Sequence, residues 1–277
     1  MKRTRFMGSV LTLAMVTSLL CVAVTAQATN TDVLKTVDAD LFDTSFSVLT
    51  PYRENIGSSF RSLFSVKKDV LSATVSEDGE NISIPTGATE NGTATTITIP
   101  VEGAGGETLE LIKDENGNTN GSCLVMNGEG TAVGYVIVKN DNVTGTVVDN
   151  KIQLTTTEPE IKLVAASPDF AKYFSLAKWG KSDAGYTMLS LHHTKYLTSV
   201  NAGDQGTERA AKRTHSWSVL YETYKNDYRF KKNVSGMKNQ YLCHFDTVGA
   251  AKNPWNLEVE RPDPGYALTV RHFCNPE

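Results

Sequence analysis

The chain has few of the residues and patterns that usually carry chemistry. Four cysteines and five histidines serve 277 residues, the net charge is −4, and no apolar run after residue 24 approaches the roughly twenty residues that a bilayer span requires. Each shortage excludes something. Without a basic field along its length the chain offers no general grip on a nucleic-acid backbone or an anionic membrane, so nucleic acid is not an expected partner. Neither a His-x-x-x-His nor a Cys-x-x-Cys spacing occurs, so no zinc site and no cofactor are expected. Gly-x-Ser-x-Gly, His-Glu-x-x-His and phosphate-loop patterns are missing too, which removes the common serine hydrolases, zinc proteases and nucleotide enzymes. The stretch Gly103-Ala104-Gly105-Gly106 falls short of a dinucleotide fingerprint because Thr108 stands where the third glycine belongs. Asp114-Glu115-Asn116-Gly117-Asn118 lacks the alternating ligands and closing glutamate of a calcium loop.

The charge that is present is unevenly placed. Residues 1–28 carry three basic and no acidic groups, 29–165 carry nine basic and twenty acidic, and 166–277 carry fifteen basic and eleven acidic. All five His, all three Trp and eight of the ten Tyr follow residue 165, so chemistry, if any, is expected there.

Lys2, Arg3 and Arg5 precede an apolar run from Val10 to Val24 and then Ala26-Gln27-Ala28, the small-x-small pattern of a signal-peptidase site. Residues 1–28 are therefore read as a cleaved export signal, and the protein as secreted, extracellular or held at the cell surface, with no membrane-spanning segment left after cleavage. Cys21 does not make a lipoprotein site, since Leu20 occupies the position of a small residue. Export makes a disulfide chemically reasonable. Of Cys123, Cys243 and Cys274, the last two share a compact region and are the favoured pair.

Residues 29–71 read as a leader or helical segment, with Phe60, Leu63, Phe64, Val66, Val70 and Leu71 able to share one helical face. From 72 to 165 the mixture of Thr, Val, Ile, Gly and Asn predicts strands at 95–100, 108–113, 134–139, 145–148 and 151–155. Asp141-Asn142 and Asp149-Asn150 mark turns between them, giving an acidic β-rich sandwich or meander. Residues 166–277 predict a hairpin formed by 173–179 and 185–193, an amphipathic helix over 207–225, a strand over 238–246 and a helix opening at Asp263-Pro264. The expected fold class is mixed α and β: a β-rich sandwich or meander, then a small α+β domain stapled by Cys243 and Cys274.

If 238–246 is a strand, period two puts Tyr241, Cys243 and Phe245 on one face and His244 and Asp246 on the other. A carboxylate beside an imidazole orients it and raises its basicity, which makes His244 and Asp246 candidates for general acid/base work, with Glu258 as an alternative orienter. His193 is a secondary candidate should its strand pair alongside. Arg261, Arg271 and His272 offer an anion-binding edge, and Trp255 and Tyr241 offer aromatic contact.

The runs Met237-Lys238-Asn239-Gln240-Tyr241-Leu242-Cys243-His244, Lys252-Asn253-Pro254-Trp255-Asn256-Leu257-Glu258, Arg261-Pro262-Asp263 and Cys274-Asn275-Pro276 resemble a family of secreted, largely actinobacterial proteins that share a C-terminal domain of unknown function (2599). The family pattern joins Cys-His, Trp-Asn-Leu-Glu, Arg-Pro and Cys-Asn-Pro. The chain departs from it at Val259-Glu260, where many members carry Pro-Trp. The resemblance implies a stapled C-terminal module and no established activity. Two functions follow as expectations. One is a secreted binding or structural module contacting a cell-wall polymer, a glycan or another protein; the other is a secreted hydrolase or toxin-like enzyme with His244 as acid/base.

Overall fold

Alternating β-branched residues, interrupted by Asn, Gly and Asp at the turns, build the strands between Asn81 and Ala166 in a computed structural model. It describes the strand backbone at 19–23, 25–28 and 45–49, and residues 74–76, 80–88, 92–102, 107–114, 116–199 and 206–277. The helical segment expected over 58–71 and the Gly103–Gly106 stretch lie outside the described residues.

The strands are β1 (Leu19–Ala23), β2 (Thr25–Ala28), β3 (Ser45–Leu49), β4 (Thr74–Val75), β5 (Asn81–Pro85), β6 (Thr95–Glu102), β7 (Thr108–Leu111), β8 (Cys123–Met126), β9 (Ala132–Val138), β10 (Val143–Val148), β11 (Lys151–Thr156) and β12 (Glu160–Ala166). They form two six-stranded sheets. One runs β10-β11-β6-β1-β3, with β2 also on β6, and the other β4-β5-β12-β9-β8-β7. Period two turns Ile97, Ile99, Ile152 and Leu154 of the first sheet inward against Ile82, Ile84, Val136, Val138, Ile161 and Leu163 of the second, so one apolar layer fills the space between them. The expected sandwich is present. It is not a run of successive hairpins, because β6 pairs with β11 and β5 with β12 across long stretches of sequence. The turn expected at Asp149-Asn150 carries both residues at positive φ, 50° and 58°, the geometry that joins β10 and β11 tightly. Asp114 shapes a turn: its carboxylate accepts from the Asn116 and Asn118 amides at 2.9 and 2.8 Å.

Past residue 166 the chain changes character. A single turn α1 (Phe170–Tyr173) leads to the hairpin β13 (Phe174–Lys181) and β14 (Thr187–His193), then α2 (Lys195–Thr198), the long α3 (Thr207–Tyr224), α4 (Val234–Cys243), β15 (Trp255–Glu258) and α5 (Tyr266–Arg271). The third sheet has the order β13-β14-β15. One face buries Leu189, Leu191, Trp255 and Leu257 beneath α3 and α4, which contribute Trp217, Leu220, Met237 and Tyr241. The mixed class and the Cys243–Cys274 disulfide, with Cα atoms 5.4 Å apart, match expectation. The long helix runs where its apolar spacing placed it.

The two parts share a junction. Ala211 of α3 is buried with Tyr135, Ile137, Leu124 and Ala166 of the second sheet. Around it, Tyr135 and Tyr196 hydroxyls meet at 2.5 Å and the Tyr173 hydroxyl lies 2.8 Å from His215 Nδ1. Glu208 receives Lys139 and Lys212, both at 2.7 Å. Burial alone would raise the Glu208 carboxyl, but hydrogen bonds from the two ammonium groups outweigh it and hold the pKa below its ordinary value.

Candidate functional site

The segment expected as a strand over 238–246 is helical, and this changes what its residues can do. Asn233 caps the helix by accepting from the Gly236 amide at 3.1 Å, and Gly236 has no room for a Cβ, which would fall 2.5 Å from the Asn233 side chain. Buried Met237, Gln240, Tyr241, His244 and Phe245 recur at three- and four-residue spacing, the helical signal that a period-two reading of the same residues overlooks. After Cys243 the helix widens into a π turn over His244–Val248 and stops at Gly249, whose φ is 51°.

One face of this helix closes the edge of β15. The Gln240 amide donates to the Glu258 carbonyl at 2.9 Å and accepts from the Glu258 amide at 2.8 Å, as a neighbouring strand would. One turn later His244 Nε2 lies 3.1 Å from the Asn256 carbonyl. A carbonyl only accepts, so Nε2 carries the proton and Nδ1 is left as a buried acceptor without a protein partner. The ring stacks on Trp255 with centroids 6.3 Å apart. Burial first, and the nearby Lys252 second, push its pKa down to about 4, the opposite of the raised basicity expected from a carboxylate neighbour.

Asp246 is not that neighbour. Two residues on a helix are about 200° apart around the axis. Its carboxylate accepts from Arg213 Nε at 3.0 Å and Nη2 at 2.8 Å, and from the Tyr266 hydroxyl at 2.5 Å. The expected His244–Asp246 pairing therefore does not form. Glu258 is also engaged elsewhere: it is buried and paired with Arg261, whose Nη1 reaches the Pro276 carbonyl at 3.2 Å. His193 also lies against Trp255, with ring centroids 4.7 Å apart, and its Nε2 meets the Lys252 carbonyl at 2.9 Å.

The expected aromatic contacts need the same correction. Trp255 and Tyr241 are both fully buried, and their polar atoms go to the Gly249 carbonyl at 3.1 Å and to Ser216 Oγ at 2.6 Å. They hold the core and cannot meet a partner. Arg261 clamps the last residues, whereas Arg271 is exposed beside Phe273, an 88% exposed phenylalanine held at φ 51°.

Cys243, His244, Trp255, Glu258, Arg261 and Cys274 thus form one connected support for the C-terminal module. Residues 176–277 match a family described as protein of unknown function, DUF2599. No curated protein and no solved structure matches the chain. In the DUF2599 region the motif runs from the disulfide through the capped edge of β15 to the clamped C terminus, and the sandwich lies outside the matched residues. Among the described residues there is no cluster of three or more His, Cys, Asp or Glu able to hold a metal ion.

Exposed cations also lie elsewhere in the DUF2599 region, at Lys238, Lys252 and Arg271, but along β13 and the turn after α3 they sit beside aromatic rings. The Arg229 guanidinium lies 4.3 Å over the Trp179 ring and 5.5 Å from Tyr228, and Lys232 Nζ sits 5.8 Å from Tyr228. Asp227 holds Arg229 in place at 2.6 Å, and that contact brings the Asp227 carboxyl down to about 2. Tyr228 is 71% exposed. Lys178, Lys231 and Lys232 are exposed and have no carboxylate partner among the described residues. The run Tyr228-Arg229-Phe230-Lys231-Lys232 interleaves aromatics with cations, a signal present in the sequence and missed there.

Proposed function

We propose that the chain is an exported protein whose C-terminal module binds an anionic partner at the cell surface through the rim formed by Trp179, Tyr228, Arg229 and the lysines beside them. Export rests on the Lys2 to Ala28 pattern; cleavage there removes β1 and β2 from the first sheet and leaves its inward Ile97, Ile99, Ile152 and Leu154 on β6 and β11. The observation that carries the binding reading is the division of labour among polar groups. The motif residues are largely buried and occupied with one another, whereas the rim sets cations over the Trp179 and Tyr228 rings, with Tyr228 and the lysines open to solvent. Cations arranged over aromatic faces recognise anions and apolar surface together.

The hydrolase reading draws no support from His244. Its protonated nitrogen is tied to a backbone carbonyl and its other nitrogen is enclosed, so neither reaches a substrate. The test uses the full-length protein, because α3 shares a core with the sandwich. Wild type and a Lys178→Glu/Lys232→Glu variant are compared for cosedimentation with isolated cell-wall material. Saturable binding by the wild type, lost in the variant, is the expected result. Equal binding by both, or turnover of the wall material, would overturn the proposal.

A further inference from the structure

The two edges of the third sheet are treated differently. On β15, the outward amide and carbonyl of Glu258 are taken by Gln240, and the Asn256 carbonyl by His244. Those bonds also fix which groups on the other strands point where. Because Glu258 and Asn256 face away from β14, Leu257 and Trp255 bond to Leu189 and Leu191, and the Val259 amide reaches the Thr187 carbonyl at 2.8 Å. Met188, Ser190 and His192 then serve β13 through Gly180, Lys178 and Leu176. The amides and carbonyls of Ala177, Trp179 and Lys181 are left pointing outward. None has a backbone partner among the described residues.

This open edge runs beside the rim. The Trp179 side chain, with Arg229 and Tyr228 above it, flanks one side, and exposed Leu176 and Lys178 flank the other. Lys178, Lys231 and Lys232 supply positive charge, whereas Asp227 is held by Arg229 and Glu260 is held by Thr187, opposite Lys181 at the end of the edge. We infer that β13 takes up an extended, acidic polypeptide segment as a fourth strand, whose backbone pairs with Ala177, Trp179 and Lys181 and whose carboxylates meet the lysines. Main-chain bonds give such strand addition its affinity, and the flanking side chains select the sequence. The inference rests on the binding reading above and specifies its partner.

The probe is a peptide of about six to eight residues alternating Glu and Val, titrated against the full-length protein and followed by fluorescence anisotropy and amide hydrogen exchange. Saturable binding with new protection at the amides of Ala177, Trp179 and Lys181 is expected. N-methylation of the peptide at alternate residues, which removes its pairing edge, should weaken binding about tenfold or more. Ala177→Pro deletes one outward donor without touching the β13–β14 ladder and should weaken it too. Lys178→Glu gives a second variant in case the proline disturbs the strand. Equal affinity for the N-methylated peptide overturns strand addition. So does inorganic polyphosphate that binds as tightly as the peptide without protecting those amides, a result that leaves the rim as an anion site. Concentration-dependent self-association protecting the same amides without peptide overturns it in favour of a second copy. Failure of both peptide and polyphosphate to bind refutes the binding reading itself.

Discussion

Acid should weaken this fold through two enclosed imidazoles, and the two can be separated. His215 is fully buried at the junction between α3 and the sandwich, and burial pushes its pKa down to about 4. His244 sits behind Trp255 inside the C-terminal module, also pushed down to about 4 from an ordinary 6.5. The unfolded chain takes up protons that the folded chain refuses, so stability falls as pH drops through 6.5 and stops falling from this source below about 4. At about 1.4 kcal/mol per pH unit, each ring contributes up to about 3 kcal/mol of lost stability, a large share of a typical domain's total. The measurement is urea unfolding at a series of pH values between 7 and about 4, with proton uptake taken from the slope of stability against pH. Replacing His244 by Gln keeps a donor toward the Asn256 carbonyl and removes the titration. The slope should fall by about one proton in that variant, and by about one more when His215 is also replaced. A slope unchanged by His244→Gln would refute the placement of a neutral, enclosed ring behind Trp255.

Arg261→Ala should destabilise the protein by about 3 kcal/mol or more in thermal or urea unfolding, since it strands the buried Glu258 carboxylate and releases the C-terminal carbonyls. A loss under about 1 kcal/mol would show the pair to be solvated. The Cys123 thiol is buried and pushed up to about 12, so iodoacetamide followed by peptide mass spectrometry should label it only when the protein unfolds. Phe273→Gly should raise stability by about 1 kcal/mol, because glycine accepts the left-handed backbone that phenylalanine holds there while exposing its ring; a decrease would mean the ring packs in solution.

Local pattern explains what was legible in the sequence. The β13–β14 hairpin, α3 and the strand pair at 143–156 each bury one periodic face against a neighbour close in sequence or carry a marked turn. β5 and β12 escaped notice because Asn81–Pro85 finds its partner only at Glu160–Ala166, a pairing no local window contains. The segment from Lys238 to Asp246 misled for a different reason: Tyr241, Cys243 and Phe245 alternate, yet Met237, Gln240, Tyr241 and His244 also recur at helical spacing. Asn233 at the cap decides between the two. That one choice governed the site. On a strand His244 and Asp246 share a face, whereas on the helix one ring seals the β15 edge and the carboxylate meets Arg213. The stapling pair Cys243 and Cys274 was legible because it requires only that the two lie in one compact region.

The central claim is that the buried residues from Cys243 to Cys274 hold the module together and the Trp179–Lys232 rim does the binding. The most direct measurement is the affinity of the full-length protein for polyglutamate in wild type, His244→Gln and Lys178→Glu/Lys232→Glu forms. The account predicts unchanged affinity, within about twofold, for His244→Gln and a loss of about tenfold or more for the charge reversal. Loss in His244→Gln with full binding by the charge-reversed protein would contradict it.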